Sequence, residues 1–298
     1  KTTVDITDGG NADNVINAVE STHAKVTGTI DPTATLTKLE VTDANGHVVT
    51  IDAKHVTVTN GHFTATGVDV HGLADGQLTV TAIAVDPAGN ISNTATDSIT
   101  LDTAIPAIPT ITAPAQVGNN LTPTVTLTGT PGSTVVATIN GRQLAPVVIP
   151  ANGHTAVVVP TGIITPNTPN TMTAVSTSPH GNVANAIPST ITVDTLIDKT
   201  TVDITDGGNA DNVINAVEST HAKVTGTIDP TATLTKLEVT DANGHVVTID
   251  AKHVTVTNGH FTATGVDVHG LADGQLTVTA IAVDPAGNIS NTATDSIT

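Results

Sequence analysis

The chain has no cysteine, no tryptophan and no tyrosine, and Phe63 and Phe261 are its only aromatic residues in 298 positions. Without cysteine there are no disulfides, no thiolate zinc sites and no cysteine nucleophile. Without Trp or Tyr the flat amphipathic faces that usually stack on sugars are missing, and any core must be built from Val, Ile, Leu and Ala. Positive charge is scarce as well: nine Lys and Arg stand against 27 Asp and Glu, a net charge of −18. Such a polyanion repels phosphate backbones, which excludes DNA and RNA as partners, and it repels anionic membranes. Cations are left as the natural small partners. No apolar run approaches the length of a membrane-spanning helix and no signal sequence precedes Lys1, so the expectation is a mature or excerpted segment without direct membrane insertion.

What is present is repetition. Lys1–Thr100 recurs without a change as Lys199–Thr298, an offset of 198 residues. The stretch between them differs in sequence but shares the plan. Leu101-Asp102-Thr103 matches Val193-Asp194-Thr195, the loop Asp86–Asn90 (DPAGN) matches Ser178–Asn182 (SPHGN), and Val26–Thr29 matches Leu127–Thr130. Three modules in the order A-B-A follow, with boundaries at 1–102, 103–194 and 195–298.

Within the repeat 20 of the first 100 residues are Thr, alternating with Val, Ile, Leu and Ala. This period-two pattern is broken at Asn45-Gly46, Asn60-Gly61, Asp75-Gly76 and Ala88-Gly89-Asn90, and Asn-Gly between alternating runs is a strong hairpin signal. In QLTVTAIAV the set Leu78, Val80, Ala82 and Ala84 is expected to face a core, with Thr79 and Thr81 outside. No long segment has helical period. The fold class read here is all-β: three tandem Ig-like antiparallel β-sandwiches in an extended rod. At a strand rise of about 3.3 Å per residue each module would be roughly 35–45 Å long, and the segment longer than about 100 Å.

The acidity is local. Each copy of the repeat carries four Lys and twelve acids, whereas residues 101–198 hold only Arg142 against Asp102, Asp194 and Asp198. One acidic stretch is DITDGGNADNVINAVE at 5–20, repeated at 203–218. Calcium takes oxygen ligands at alternating positions of a tight loop closed by a carboxylate. Asn11, Asp13, the Val15 carbonyl, Asn17 and Glu20 fall at positions 3, 5, 7, 9 and 12 of an EF-hand-like register, with Ile16 as the apolar anchor. Position 1 is Gly9, with Asp8 one residue early, and Asn14 replaces the turn glycine, a mild change because Asn tolerates the left-handed conformation. The second copy offers Asp206, Asn209, Asp211, Val213, Asn215 and Glu218 in the same places. A polar turn in which Asp and Asn serve only as turn formers fits the same residues.

A second candidate lies at the module ends. Asp86 and Asn90 sit in the DPAGN loop and Asp102 closes the last strand; at the other junction Asp194 and Asp198 precede the acidic loop of the second copy, which also has Asp284 and Asn288. Acids gathered at a junction repel one another unless a divalent ion neutralises them. A Pro-Gly turn and a strand-ending Asp explain the same residues without an ion. His47, His55, His62 and His71 are close in sequence, but three of them flank hairpin turns, where exposed polar residues are expected. No Gly-x-Ser-x-Gly elbow or other catalytic constellation is found, so no enzyme is expected.

Tandem modules with these VDPAGNIS loops, the ITLDT and ITVDT junctions and the DNVINAVE acidic loop resemble the Ig-like repeats of giant bacterial surface adhesins, of the biofilm-associated and type I-secreted RTX kinds. The resemblance covers essentially the whole chain. It implies an extender segment on the bacterial cell surface, outside the cell, that projects a terminal binding domain, with calcium stiffening the junctions. Asp86, Asn90 and Asp102 are the ligands implied at one junction; Asp194, Asp198 and the second acidic loop serve the other. Ser178 and Gly9 depart from the pattern. The implied partners are calcium ions and the neighbouring repeats of the same chain, the segment itself being a monomer. A direct adhesive role, homophilic or toward glycans, is the alternative.

Overall fold

Alternating Val and Thr place one apolar and one polar face on every strand, so two such sheets can close their apolar faces on each other. A computed structural model describes residues 1–114 and 117–298. The chain packs as two compact units, one of Lys1–Thr112, Thr126–Val157 and Met172–Ser189, the other of Ala113–Val125, Val158–Thr171 and Thr190–Thr298.

The first unit holds the first repeat. Its strands are β1 (Thr3–Thr7), β2 (Val15–Asn17), β3 (Ala24–Thr29), β4 (Thr35–Thr42), β5 (Val48–Thr50), β6 (Val56–Thr59), β7 (His62–Val68), β8 (Gly76–Val85) and β9 (Ala95–Asp102). One sheet has the order β1-β3-β7-β6, the other β2-β9-β8-β4-β5. The chain passes from one sheet to the other between β3 and β4, between β5 and β6 and between β7 and β8, which is the Greek-key connectivity of an Ig sandwich. All ladders of the repeat are antiparallel except β2 with β9, which runs parallel with Val15 opposite Thr100 and Asn17 opposite Asp102. The apolar faces meet in one core that includes Ile6, Val26, Leu39, Phe63, Leu78 and Ile99. Leu78, Val80, Ala82 and Ala84 are all buried, as their alternation with Thr predicts.

A core with a single aromatic ring depends on a glycine. A Cβ on Gly28 would lie 2.4 Å from Phe63 Cζ and 2.2 Å from the Thr3 carbonyl, so the ring lies over the β1–β3 ladder only because position 28 has no side chain. Asn60 and Gly61 both take positive φ, 50° and 78°, and close the β6–β7 hairpin in two residues, the twist that a type I′ turn supplies. Asn45-Gly46 differs from the two-residue hairpin its dipeptide suggests. Five residues, 43–47, join β4 to β5, and the loop is closed by the Asp43 N–H on the His47 carbonyl (3.1 Å) and the Gly46 N–H on the Asp43 carbonyl (3.1 Å).

Further along are β10 (Thr110–Thr112), β11 (Thr124–Thr128), β12 (Thr134–Ile139), β13 (Arg142–Gln143), β14 (Val147–Val148), β15 (His154–Val158), β16 (Pro169–Thr177), β17 (Val183–Asn185) and β18 (Ser189–Thr192). They give the sheets β10-β11-β15 and β13-β12-β16-β17, with β14 also on β12. With no aromatic residue in this stretch, Met172, the chain's one methionine, is fully buried.

The second unit holds the second repeat: β19 (Thr201–Thr205), β20 (Ala222–Thr227), β21 (Thr233–Thr240), β22 (Val246–Thr248), β23 (Val254–Thr257), β24 (His260–Val266), β25 (Leu276–Val283) and β26 (Ala293–Ile297), in sheets β19-β20-β24-β23 and β22-β21-β25-β26. Its core repeats the first, with Phe261 in the place of Phe63. The described residues contain no helix long and apolar enough to cross a membrane.

Candidate metal centres

The acidic loop links β1 to β3 and folds on its own side chains. Asp8 is buried; its Oδ1 accepts the Gly10 N–H (2.9 Å) and its Oδ2 the Asn14 N–H (3.3 Å). Asn11 Oδ1 accepts the Asp13 N–H, and Asp13 Oδ1 accepts the Val15 N–H. Asn17 Oδ1 caps the next turn by accepting the Val19 and Glu20 N–H groups at 2.9 and 3.0 Å. Glu20 closes the loop, one oxygen on the Asn11 N–H (3.3 Å) and the other on the Asn17 N–H (3.1 Å). Asn14 does stand in the left-handed region, φ 65°, and so does Ala12, φ 61°. Val15 and Ile16 lie in β2, which fixes the far half of the loop against the end of β9.

The second loop, Asp206 to Glu218, repeats most of these contacts but differs at its carboxylates. Asp206 Oδ1 accepts the Gly208 N–H (2.8 Å) and the Ala210 N–H (3.3 Å), but the buried Oδ2 has no hydrogen-bond partner. The Gly208 N–H foremost, with that of Ala210 behind it, outweighs burial and holds this carboxyl below its ordinary pKa. Asn209 and Asp211 brace each other, Val213 N–H donates to Asp211, and Asn215 N–H donates to Glu218. Among the described residues no acid of either loop pairs with Lys, Arg or His. A buried carboxylate oxygen without a donor is costly unless a cation meets it, so the donor set fits a hard, oxygen-seeking ion. No group of three or more His, Asp or Glu side chains is gathered tightly enough to hold a metal among the described residues. An ion here would therefore draw on Asn amide and backbone carbonyl oxygens besides the carboxylates.

The module ends are arranged differently from the expectation. Asp86, Asn90 and Asp102 do not converge. β8 and β9 pair antiparallel from Gly76–Leu101 to Ala82–Ala95, and β8 runs on to Val85, so the DPAGN loop and Asp102 lie at opposite ends of one hairpin, roughly 35 Å apart at the strand rise. Asp86 instead binds its own loop, accepting the Ala88 and Asn90 N–H groups and the Asn90 Nδ2 (2.7 Å), and the Asn90 amide foremost lowers its pKa. What meets Asp102, within the first unit, is the Ser178–Asn182 loop. The Asn182 Nδ2 donates to the Asp102 carbonyl (2.8 Å), its Oδ1 accepts the Ala18 N–H (2.8 Å), and the residue is buried.

Within the second unit, Asn288 Nδ2 donates to the carbonyls of Asp194 and Leu196, both at 3.1 Å, and to Asp284 Oδ2 at 2.8 Å. Asp194, Asp284 and Asn288 are thus brought together, while Asp198 donates its N–H to Asp229 (3.4 Å). Two of the clustered histidines pair with separate carboxylates: His47 Nδ1 with Asp43 (2.7 Å) and His71 Nδ1 with Asp69 (2.6 Å).

Three polar tethers escaped the sequence reading. Asp43, buried, accepts the N–H groups of Asn45, His47 and Ala74 as well as the His47 ring. Asn93 clamps the Thr2 backbone through both its N–H and C=O, and Asp97 accepts the Ile6 N–H at 3.0 Å. The D-x-N-G spacing of an Asx turn at Asp43 was a usable signal; the other two depend on which strands become neighbours.

No family model matches the sequence, and no curated protein matches it. Two solved structures similar to the whole of this chain are bacterial adhesins. One is a Ca2+-stabilized adhesin that helps an Antarctic bacterium reach out and bind ice; it is 25% identical, with a TM-score of 0.56, covering 100% of this chain and 73% of that one. The other is a 1.5-MDa bacterial ice-binding adhesin, solved for insight into its retention on the host cell surface; it is 23% identical, with a TM-score of 0.50, covering 100% and 96%. The chain is therefore similar to bacterial adhesins, the kind of protein its own repeats resemble.

Proposed function

We propose that this chain is a spacer segment of a bacterial cell-surface adhesin, exposed outside the cell and mechanical rather than catalytic. Its three Ig-like modules, 1–102, 103–194 and 195–298, would carry a distal adhesive domain away from the surface for attachment and biofilm formation. The module boundaries are supported by strand pairing, since every sheet draws its strands from 3–102, from 110–192 or from 201–297. Calcium would stiffen the module ends. Its donors would be Asp8, Asn11, Asp13, Asn17, Glu20 and the Val15 carbonyl in one loop, and Asp206, Asn209, Asp211, Asn215, Glu218 and the Val213 carbonyl in the other. Asp102, and Asp194 with Asp198, Asp284 and Asn288, would serve the junctions, and Asp86 and Asn90 the opposite end of the first module.

The single observation that supports the calcium reading most directly is the buried, unpartnered Oδ2 of Asp206. Bound calcium would supply positive charge that the protein lacks there. Binding only to the folded state stabilises that state by mass action, and extracellular modules bind at about 10⁻⁴–10⁻³ M.

Small-angle scattering of the chain in calcium and in excess chelator tests this. An elongated particle of fixed length in calcium that loosens in chelator is the expected result. Superposable curves, together with an unchanged unfolding temperature, would leave the acids as solvated turn formers and the calcium role would be lost.

A further inference from the structure

One loop occurs three times in the chain, as Asp86–Asn90, Ser178–Asn182 and Asp284–Asn288, and each is closed by the N–H of its first residue on the carbonyl of its asparagine, at 3.1, 2.8 and 3.1 Å. The backbone is the same; the fate of the asparagine is not. Asn182, 2% exposed, and Asn288, 8% exposed, reach the carbonyl of the Asp of a preceding Asp-Thr pair, Asp102 at the end of β9 and Asp194 two residues beyond β18. Asn90, identical in sequence surroundings to Asn288, is exposed and holds only Asp86 of its own loop.

We propose that this asparagine is a latch for a strand end: its amide grips the backbone of an Asp-Thr terminus, needs no metal to do so, and in the Asp86–Asn90 loop forms a ready docking surface for the last strand of another Ig-like module ending in Asp-Thr. The inference deepens the spacer reading and rests on it. An amide carries a donor and an acceptor side by side, so it pairs like a peptide group. At Asn182 it does this across two strands at once, accepting from Ala18, the residue after β2, and donating to Asp102, the last of β9. It thereby caps the parallel ladder in which Asn17 stands opposite Asp102. The grip needs no carboxylate in the loop itself: Ser178 leaves that loop without one, and the Asn182 N–H takes the Ser178 hydroxyl (3.0 Å) in place of an Asp. The outward loop is already shaped, because Asn90 and Asn288 bind Asp86 and Asp284 at nearly equal distances, 2.7 and 2.8 Å.

The duplication supplies its own control. In the full chain, held in chelator, Asn182→Ala should raise the exchange rate of the Ala18 amide roughly tenfold by NMR, the loss of about one hydrogen bond, with the amide of Ala216 in the identical sequence as the unmoved reference. Asn288→Ala should broaden the scattering profile in chelator, and Asn90→Ala, which removes the same loop contact but no strand end, should leave it at the wild-type curve. Placing a further copy of residues 103–198 ahead of Lys1 should make the Asn90→Ala effect equal that of Asn288→Ala. If Asn182→Ala leaves Ala18 at its wild-type rate, or if Asn90→Ala and Asn288→Ala act alike in the unextended chain, the asparagine merely holds its own loop and the latch is wrong. Because each variant is read against wild type in chelator alone, the calcium reading can fail while the latch stands, and the reverse.

Discussion

In the first repeat Asn90 is exposed and Asp86 half-buried; in the second, the same two residues as Asn288 and Asp284 are 8% and 7% exposed. At the other pole the order reverses. Ile16 is fully buried and Asn17 7% exposed, whereas Ile214 is half-buried and Asn215 exposed, and the strand β2 has no counterpart. Between the poles the ladders match. The β1–β3 ladder pairs Thr3 with Thr29 as β19–β20 pairs Thr201 with Thr227, and Asp97 and Asp295 accept the N–H of Ile6 and Ile204 at the same 3.0 Å. One hundred identical residues therefore specify the sandwich by themselves, while each pole takes its final form from residues outside the repeat. Leu101 and Asp102 supply the ladder that makes β2, and Asp194 and Leu196 supply the carbonyls that bury Asn288.

The largest expected effect tests the autonomy of the sandwich. Phe63 and Phe261 are each 1% exposed and fill the same space. Truncation of either to Ala should cost about 3–5 kcal/mol, and the two variants should agree in chemical denaturation. A clear inequality would show that the poles reach into the core. Next in size is the test of the poles. Ile16→Ala should cost about 2–5 kcal/mol, and Ile214→Ala roughly half that, because the transfer part scales with the apolar area removed from water. Equal losses would contradict the difference between the two copies.

The strands, their inward faces and the Asn60-Gly61 turn were legible in the sequence because they rest on local rules: period two, and a dipeptide that accepts two positive φ values. Leu78, Val80, Ala82 and Ala84 could be placed in the core without knowing what faced them. Asp86, Asn90 and Asp102 could not be placed together correctly, because spacing along the chain does not say which end of a hairpin a residue occupies; the antiparallel register does. Asn182 was invisible as a contact for the same reason. Its partners, Ala18 and Asp102, are 164 and 80 residues away, and an Asn after a turn glycine has an adequate local explanation in the turn itself. The acidic loop was readable as an oxygen-rich turn. That its carboxylates would be engaged by the loop's own N–H groups, with one oxygen of Asp206 left over, required the folded backbone.

A last, smaller effect sharpens the comparison through pH, since it concerns a tether that both copies make from residues of the repeat alone. Asp43 and Asp241 each accept three backbone N–H groups and a histidine ring. The N–H of Ala74, and of Ala272 in the second copy, is the foremost cause that holds the carboxyl far below the usual range, against the opposing effect of burial. A carboxyl with a depressed folded pKa adds stability that is present above its unfolded pKa, about 3.9, and is lost as pH falls from there toward the folded value. Urea midpoints measured from pH 7 down to pH 2 should therefore decline below about pH 4 in the wild type. Asp43→Asn and Asp241→Asn start from lower midpoints, since an amide cannot accept all four donors, but should decline less steeply in that window. Parallel slopes for wild type and both variants would assign the acid sensitivity to other carboxylates. A flattened slope in one variant alone would mean that a pole, and not the shared sandwich, governs how this turn titrates.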